Sequence, residues 1–169
     1  MSEVWSLEFL PRIVLFMTLS ISVEDPLSKE TLFLLQTHLD FCMASTPPEH
    51  VYALDASKLK APDITVFGAR LSEVLVGVGA IRIMNQDHAE LKSMHTLASF
   101  RGKGIGKSLV LYIEKYAKEH GISRLSLETG TNDAFRSARD LYASLGYTSS
   151  EAFGEYVISD DNICMTKLI

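Results

Sequence analysis

Arg101-Gly102-Lys103-Gly104-Ile105-Gly106-Lys107-Ser108 packs three cations and three glycines into eight residues of a chain whose formal net charge is −5. Strand-like alternation ends just before this run and a helical apolar stripe begins just after it, so the run sits at a strand-to-helix junction. A helix starting there leaves its first backbone N–H groups unpaired and carries partial positive charge, which together make an anion site. Glycines remove the side chains that would hold a phosphate away from those N–H groups, so a phosphate or pyrophosphate is the natural guest. Spacing then ranks the ligands. A nucleotide P-loop needs GxxxxGK[ST], but counting back from Gly106-Lys107-Ser108 puts Arg101 where the first glycine belongs. The dinucleotide fingerprint GxGxxG also fails, because Lys107 stands where its third glycine should be and no parallel βαβ unit surrounds it. The pattern that fits is R-x-x-G-x-G, through Arg101, Gly104 and Gly106. A glycine-rich turn with no ligand is the alternative.

The elements that must position this loop follow from periodicity. Met17 to Val23 alternates apolar and polar residues and reads as a strand, stopped by Glu24-Asp25-Pro26. Asp25-Pro26 is a helix-start pair, and Leu32, Leu35, Leu39 and Cys42 recur at helical spacing over about 26–44. Residues 45–50, with Pro47 and Pro48, form a loop, and 56–60 is one short helical turn. Ile64–Arg70, Val74–Met84 and Ala89–Leu97 read as a meander of strands. Gly77 and Gly79 would weaken the second of these unless another segment packs closely on them. Gly104–His120 is an amphipathic helix through Ile105, Leu109, Tyr112, Ile113 and Tyr116, closed by Gly121. A strand over 124–129, a helix over 133–145 and closing strands at 147–149 and 163–168 complete the chain, which reads as one α+β domain with a mixed sheet.

Composition excludes several classes of function. With 169 residues the chain is of single-domain size and needs no disulfide or metal to hold its core. Its 16 Lys+Arg against 21 Asp+Glu argue against nucleic acid as the main partner. Cys42 and Cys164 cannot form a secreted-type disulfide framework, and reduced thiols in a cytoplasmic protein are the simplest expectation. The apolar run Phe9–Phe16 follows Glu3 and Glu8 rather than a basic segment and lacks a small-x-small cleavage site, so it does not read as an export signal. No stretch has the length of a membrane span. The five histidines show no metal-ligand spacing, so no metal is expected.

R-x-x-G-x-G between a strand and a long helix resembles the coenzyme A pyrophosphate loop of the GNAT superfamily of acetyl-CoA-dependent N-acetyltransferases. The later A-x-x-L-Y-x-x-x-G-[FY] pattern, seen as Ala138, Leu141, Tyr142, Gly146 and Tyr147, extends the resemblance over about residues 14–168, leaving 1–12 as an extension outside it. GAIRIMNQDHAELKSMHT, LSLETG and FGEY further resemble a bacterial acetyltransferase subgroup. The resemblance implies a GNAT-like fold, a mostly antiparallel twisted sheet flanked by helices, with acetyl-CoA as the acetyl donor and an amine as acceptor. It implies coenzyme contacts from the backbone of His95, Thr96 and Leu97 and from Arg101 through Ser108 (Arg101, Gly102, Lys103, Gly104, Ile105, Gly106, Lys107, Ser108), on a strand splayed from 124–129. A homodimer is one assembly it suggests.

Acetyl transfer to an amine needs a base, because a primary amine with a pKa of about 10.4 is protonated at neutral pH. Glu90, on the strand leading to the loop, matches the position of a family glutamate. Strand parity places Lys92 on the same face, so a structural ion pair is the competing reading. The resemblance makes Tyr142 the proton donor to the departing thiolate, and a core aromatic is the alternative. His95, nearest the expected acetyl group, is a further relay candidate, and a hydrogen-bonded strand histidine is the alternative. One departure stands out: Phe135 occupies the place where many members carry an asparagine, and Asn132 is out of register for it. Glu49, His50, Glu155 and Tyr156 are the candidates for substrate selection, since loops carry specificity on a rigid scaffold. A small-molecule amine is the first expectation; a protein lysine or N-terminus, or a non-catalytic acyl-CoA sensor, are the alternatives.

Overall fold

Alternation along each strand, read against the helices, divides the apolar residues into two clusters, one on each face of a single sheet. The computed structural model describes residues 18–169; the expected strand start at Met17, the apolar run 9–16 and the extension 1–12 lie outside the described residues. The strands are β1 (Leu19–Val23), β2 (Ile64–Leu71), β3 (Val74–Ile83), β4 (His88–Thr96), β5 (Arg124–Gly130), β6 (Thr148–Ser150) and β7 (Asn162–Leu168), and the helices α1 (Lys29–Ser45), α2 (Ile105–Glu119) and α3 (Arg136–Ser144). The strands form one seven-stranded sheet in the order β1-β2-β3-β4-β5-β7-β6. Every neighbouring pair is antiparallel except β4 with β5.

Leu34 and Leu35 of α1 pack with Val66, Val78 and Ala80. Ile105, Leu109 and Ile113 of α2 pack with Phe67, Ile81, Leu125 and Leu127 on the opposite face. The glycines at 77 and 79 answer the close approach that their presence in a strand demands. A Cβ at Gly77 would lie 3.1 Å from Ile105 and 3.2 Å from Leu109, and one at Gly79 would lie 2.4 Å from the Met94 sulfur and 3.2 Å from Ile113. Helix α2 therefore lies directly on β3, which aims its N-terminal loop at the end of β4.

Two local readings shift. Helix α1 begins at Lys29 rather than near Pro26, because the Ser28 side chain accepts the hydrogen bond of the Thr31 N–H while Asp25 serves a preceding turn through the Leu27 N–H. Its buried face is accordingly Thr31, Leu34, Leu35 and Cys42, with Leu32 turned outward. The expected helix 133–145 divides into a 3₁₀ turn at 133–135 and α3. Asn132 accepts from the Ala134 N–H at that turn.

Replacing Leu109, which is fully buried on the sheet-facing side of α2, with alanine is expected to cost about 2–5 kcal/mol in urea unfolding. Phe33→Ala on the exposed side of α1 should stay within about 0.5 kcal/mol of the wild type.

Candidate functional site

β4 and β5 are paired only at His88–Arg124, Ala89–Leu125 and Glu90–Ser126, although β4 runs on to Thr96 and β5 to Gly130. The strands therefore part, which is the splay that the resemblance implied. β4 bends beyond the last paired residues at a bulge: register with β3 slips between Val78 and Ala80, and Ser93 takes a left-handed backbone with φ 52°. A non-glycine residue in that region costs of order 1–2 kcal/mol. The gap widens into a cleft of about 600 Å³.

One end of the cleft is the glycine loop. Gly104 caps α2 with φ 80°, no side chain caps the helix, and the first turn carries no acidic residue. A Cβ at Gly102 or Gly104 would meet nothing within 4 Å, so the loop presents open backbone. Arg101 is pinned by its own Nε–H to the Thr96 carbonyl at 3.1 Å and lies over the Phe41 ring. These features fit a pyrophosphate: unpaired helix N–H groups, space above them and cations around them. Gly102, Gly104, Ile105, Gly106 and Lys107 line the cleft with Arg101, His95 and Thr96. Leu97, Lys103 and Ser108 do not line it; Lys103 lies over the Phe100 ring and Leu97 packs against the α1-side cluster.

The other end is built from carboxylates, a lysine and tyrosines. Glu90 and Lys92 project from the same face of β4, with side chains 3% and 8% exposed and the Lys92 Nζ 2.7 Å from Glu90 Oε1. The Tyr156 hydroxyl donates to the same Oε1, and Lys92 also donates to the Tyr156 oxygen at 2.8 Å. Burial and the neighbouring Glu90 carboxylate push the Tyr156 phenol well up, so it stays protonated. On β5, two residues past the last paired one, Glu128 lines the cleft, and burial raises its carboxyl from 4.5 to about 7 against the opposing pull of Lys92 and Asn162.

Tyr142 is a buried aromatic 5.8 Å from Tyr147 by ring centroid, and it also lines the cleft. Burial raises its phenol pKa, which keeps it protonated. Burial first, then Arg101, lowers His95 to about 4, so its ring is neutral at pH 7. Phe135, the departure from the expected asparagine, sits over Gly130, where a Cβ would lie 2.3 Å from its ring. His50 lines the cleft and its Nδ1 is 2.8 Å from Asp161 Oδ2, while Glu49 lines neither cavity of the region. Glu155 lines a smaller adjoining cavity, and Tyr156 lines both. Sequence reasoning missed Glu128, Asp161 and Tyr52. Glu128 lay in the quoted LSLETG stretch, on the strand face opposite Leu125 and Leu127, and parity with Ser126 was the signal that could have found it. Among the described residues no group of three histidine, cysteine, aspartate or glutamate side chains is placed to hold a metal, and both cysteines are free thiols.

A family model described as Acetyltransferase (GNAT) family matches residues 32–147. The chain is 37% identical over 147 residues to the uncharacterized N-acetyltransferase YsnE of Bacillus subtilis, covering 87% of this chain and 97% of that protein. A Klebsiella pneumoniae structure assigned to the acyl-CoA N-acyltransferases superposes with TM-score 0.76 at 26% identity, over 89% of this chain and 97% of the other. A GNAT-family acetyltransferase of Elizabethkingia anophelis, solved with acetyl-CoA bound, shares the fold with TM-score 0.64 at 15% identity, over 89% and 98% of the two chains.

Because Glu90 and Lys92 are buried together, removing one charge strands the other. Glu90→Gln or Lys92→Met alone should each destabilise the protein by roughly 3–5 kcal/mol, and the double variant should recover most of that loss in urea unfolding.

Proposed function

The chain belongs to the GNAT acetyltransferase family and is an acyl-CoA-dependent N-acetyltransferase, and from that premise we propose that it acetylates the amine of a small molecule by direct attack, with Glu128 as base and Tyr142 as acid. Acetyl-CoA supplies the activated acetyl group as its thioester. The observation that carries the reading is that one cleft joins the uncapped N-terminus of α2, the unpaired edge of β4, Glu128 and Tyr142.

Each residue then has a role fitted to its surroundings. The N–H groups at the start of α2, with Arg101 and Lys107 beside them, hold the pyrophosphate. Thr96, which lines the cleft beyond the last β4–β5 pair, is the backbone position best placed for the pantetheine arm, whereas the Leu97 N–H is already bonded to the Val76 carbonyl. Glu128, with a carboxyl near 7, is ionised enough at neutral pH to accept a proton and basic enough to keep it. Glu90 already receives Lys92 and Tyr156 on Oε1, so its share is to hold those two side chains in place rather than to take the acceptor's proton. Tyr142 retains its proton until a thiolate develops beside it. Two loops meet over the acceptor end through His50–Asp161 at 2.8 Å and through the Tyr52 and Tyr156 rings, 4.9 Å apart. That cover supports a small acceptor over a folded protein.

Two measurements test these roles. Free-thiol release with any active amine should rise with pH through about 7, because the base works only when deprotonated. Glu128→Gln should erase that limb and lower kcat by about 10²–10⁴-fold; an unchanged profile would remove Glu128 from the mechanism. Gly104→Asp, compared with Gly104→Asn, holds shape and left-handed backbone nearly constant while adding a charge at the helix start. The aspartate variant should bind coenzyme A at least about tenfold more weakly than the asparagine variant, and equal affinity would remove the pyrophosphate from this loop.

A further inference from the structure

Two polar atoms in the wall of the cleft are enclosed without a partner. Among the described residues, Ser93 Oγ on β4 and His38 Nδ1 on α1 are buried and make no hydrogen bond. Ser93 is 8% exposed, and both residues line the larger cleft. A buried polar group costs stability until something bonds it, so each orphan marks a place where a partner belongs. His95 connects the two. It lies two residues beyond Ser93 on β4, and its ring meets the His38 ring edge-on with centroids 5.6 Å apart.

What these atoms can bond follows from their neighbours. His38 Nε2 lies 3.7 Å from Cys42 Sγ. Burial, and then the Glu128 carboxylate, raises the Cys42 thiol to about 11, so the sulfur keeps its hydrogen. Burial, then His95, then Lys92, lowers His38 to about 4, so its ring is neutral at pH 7 and carries one hydrogen. With the thiol donating to Nε2, that hydrogen belongs on Nδ1, which makes the orphaned nitrogen a donor. The Ser93 hydroxyl is a second donor, and its single side-chain torsion lets it turn to a guest without moving β4. The matching guest presents oxygen lone pairs. Its charge follows as well, because the charged side chains that bear on the two rings are cations: Lys92 at His38 and Arg101 at His95. A carboxylate suits that field better than a neutral carbonyl does. Glu128 acts on the same thiol that His38 contacts, so the base and the donor pair lie within the span of one small molecule.

We propose that the His38 Nδ1–H and the Ser93 hydroxyl form a subsite for the carboxylate of an amino acid, holding the acceptor while its amine lies at Glu128. The inference rests on the N-acetyltransferase reading above and names the substrate class for that same site. It gives the Cys42 thiol a positioning role, since its hydrogen fixes which imidazole nitrogen faces the guest as a donor.

The test is free-thiol release from acetyl-CoA with two matched series of acceptors: leucine, leucinamide and isopentylamine, and 4-aminobutanoate, 4-aminobutanamide and propylamine. In at least one series the amino acid should exceed both its amide and the amine lacking the carboxyl group by about tenfold in kcat/KM, carried by KM. Ser93→Gly, which accepts the left-handed backbone and removes the hydroxyl, should shrink that advantage at least about threefold. His38→Leu should abolish most of it, whereas His38→Asn, whose amide N–H stands in for Nδ1–H, should keep the larger part. Equal kcat/KM within both series, a preference for the amide or the plain amine, or an advantage that survives intact in Ser93→Gly and His38→Leu would overturn the subsite and leave the acetyltransferase reading standing. A loss in His38→Asn as deep as in His38→Leu would overturn the donor at Nδ1. No thiol release with any amine, by protein that binds coenzyme A normally, would overturn both the subsite and the acetyltransferase reading.

Discussion

The parting of β4 from β5 after Glu90 and Ser126 is the constraint on which the rest of the site depends. A parallel pair that continued to Thr96 and Gly130 would satisfy its own backbone and leave no gap. Parting the strands instead leaves a run of backbone donors and acceptors facing a cleft, and such groups must find partners in water or in a ligand. The bulge at Ser93 turns β4 where its pairing with β5 ends, and the Phe135 ring packs against Gly130 at the far end of β5. Helix α2 closes the same gap with its N-terminus because glycines at 77 and 79 let it settle onto β3.

The acceptor end follows a different rule, in which burial sets the protonation states. Glu128 is raised by desolvation while Lys92 pulls it back, so it ends near neutrality and not far above it. Glu90, closer to Lys92, is committed to an ion pair with side chains 3% and 8% exposed. The two carboxylates therefore differ in state: Glu90 is paired with a buried lysine, and Glu128 has its carboxyl raised to about 7. Tyr142 and Tyr156 are both kept protonated by burial, but only Tyr156 is tied to the carboxylate.

Much of this was legible in the residues themselves. R-x-x-G-x-G marked the loop that forms the uncapped start of α2 at one end of the cleft, and strand parity alone put Lys92 beside Glu90. The glycine pair in β3 signalled that another segment would pack closely there, and α2 is that segment. The missed pieces share a cause. Glu128 looked like the polar half of an alternating strand, because nothing local says that β5 loses its neighbour at that point. The latch between His50 and Asp161 joins residues 111 positions apart, and Tyr156 reaches Glu90 across 66. Such pairings arise from topology, which periodicity does not encode. The register of α1 was displaced for a subtler reason: Asp25 and Ser28 are both competent caps, and the helix uses the one whose choice buries Leu34 and Leu35.

Amide hydrogen exchange with and without coenzyme A bears most directly on the central claim, that the gap between β4 and β5 and the start of α2 together form the coenzyme site. The account predicts slowed exchange concentrated at the backbone amides of 95–97 and 102–108, with β1 and the N-terminal turn of α1 unchanged. Protection that spared 102–108, or that centred on the smaller cavity around Arg82 and Glu155, would contradict it.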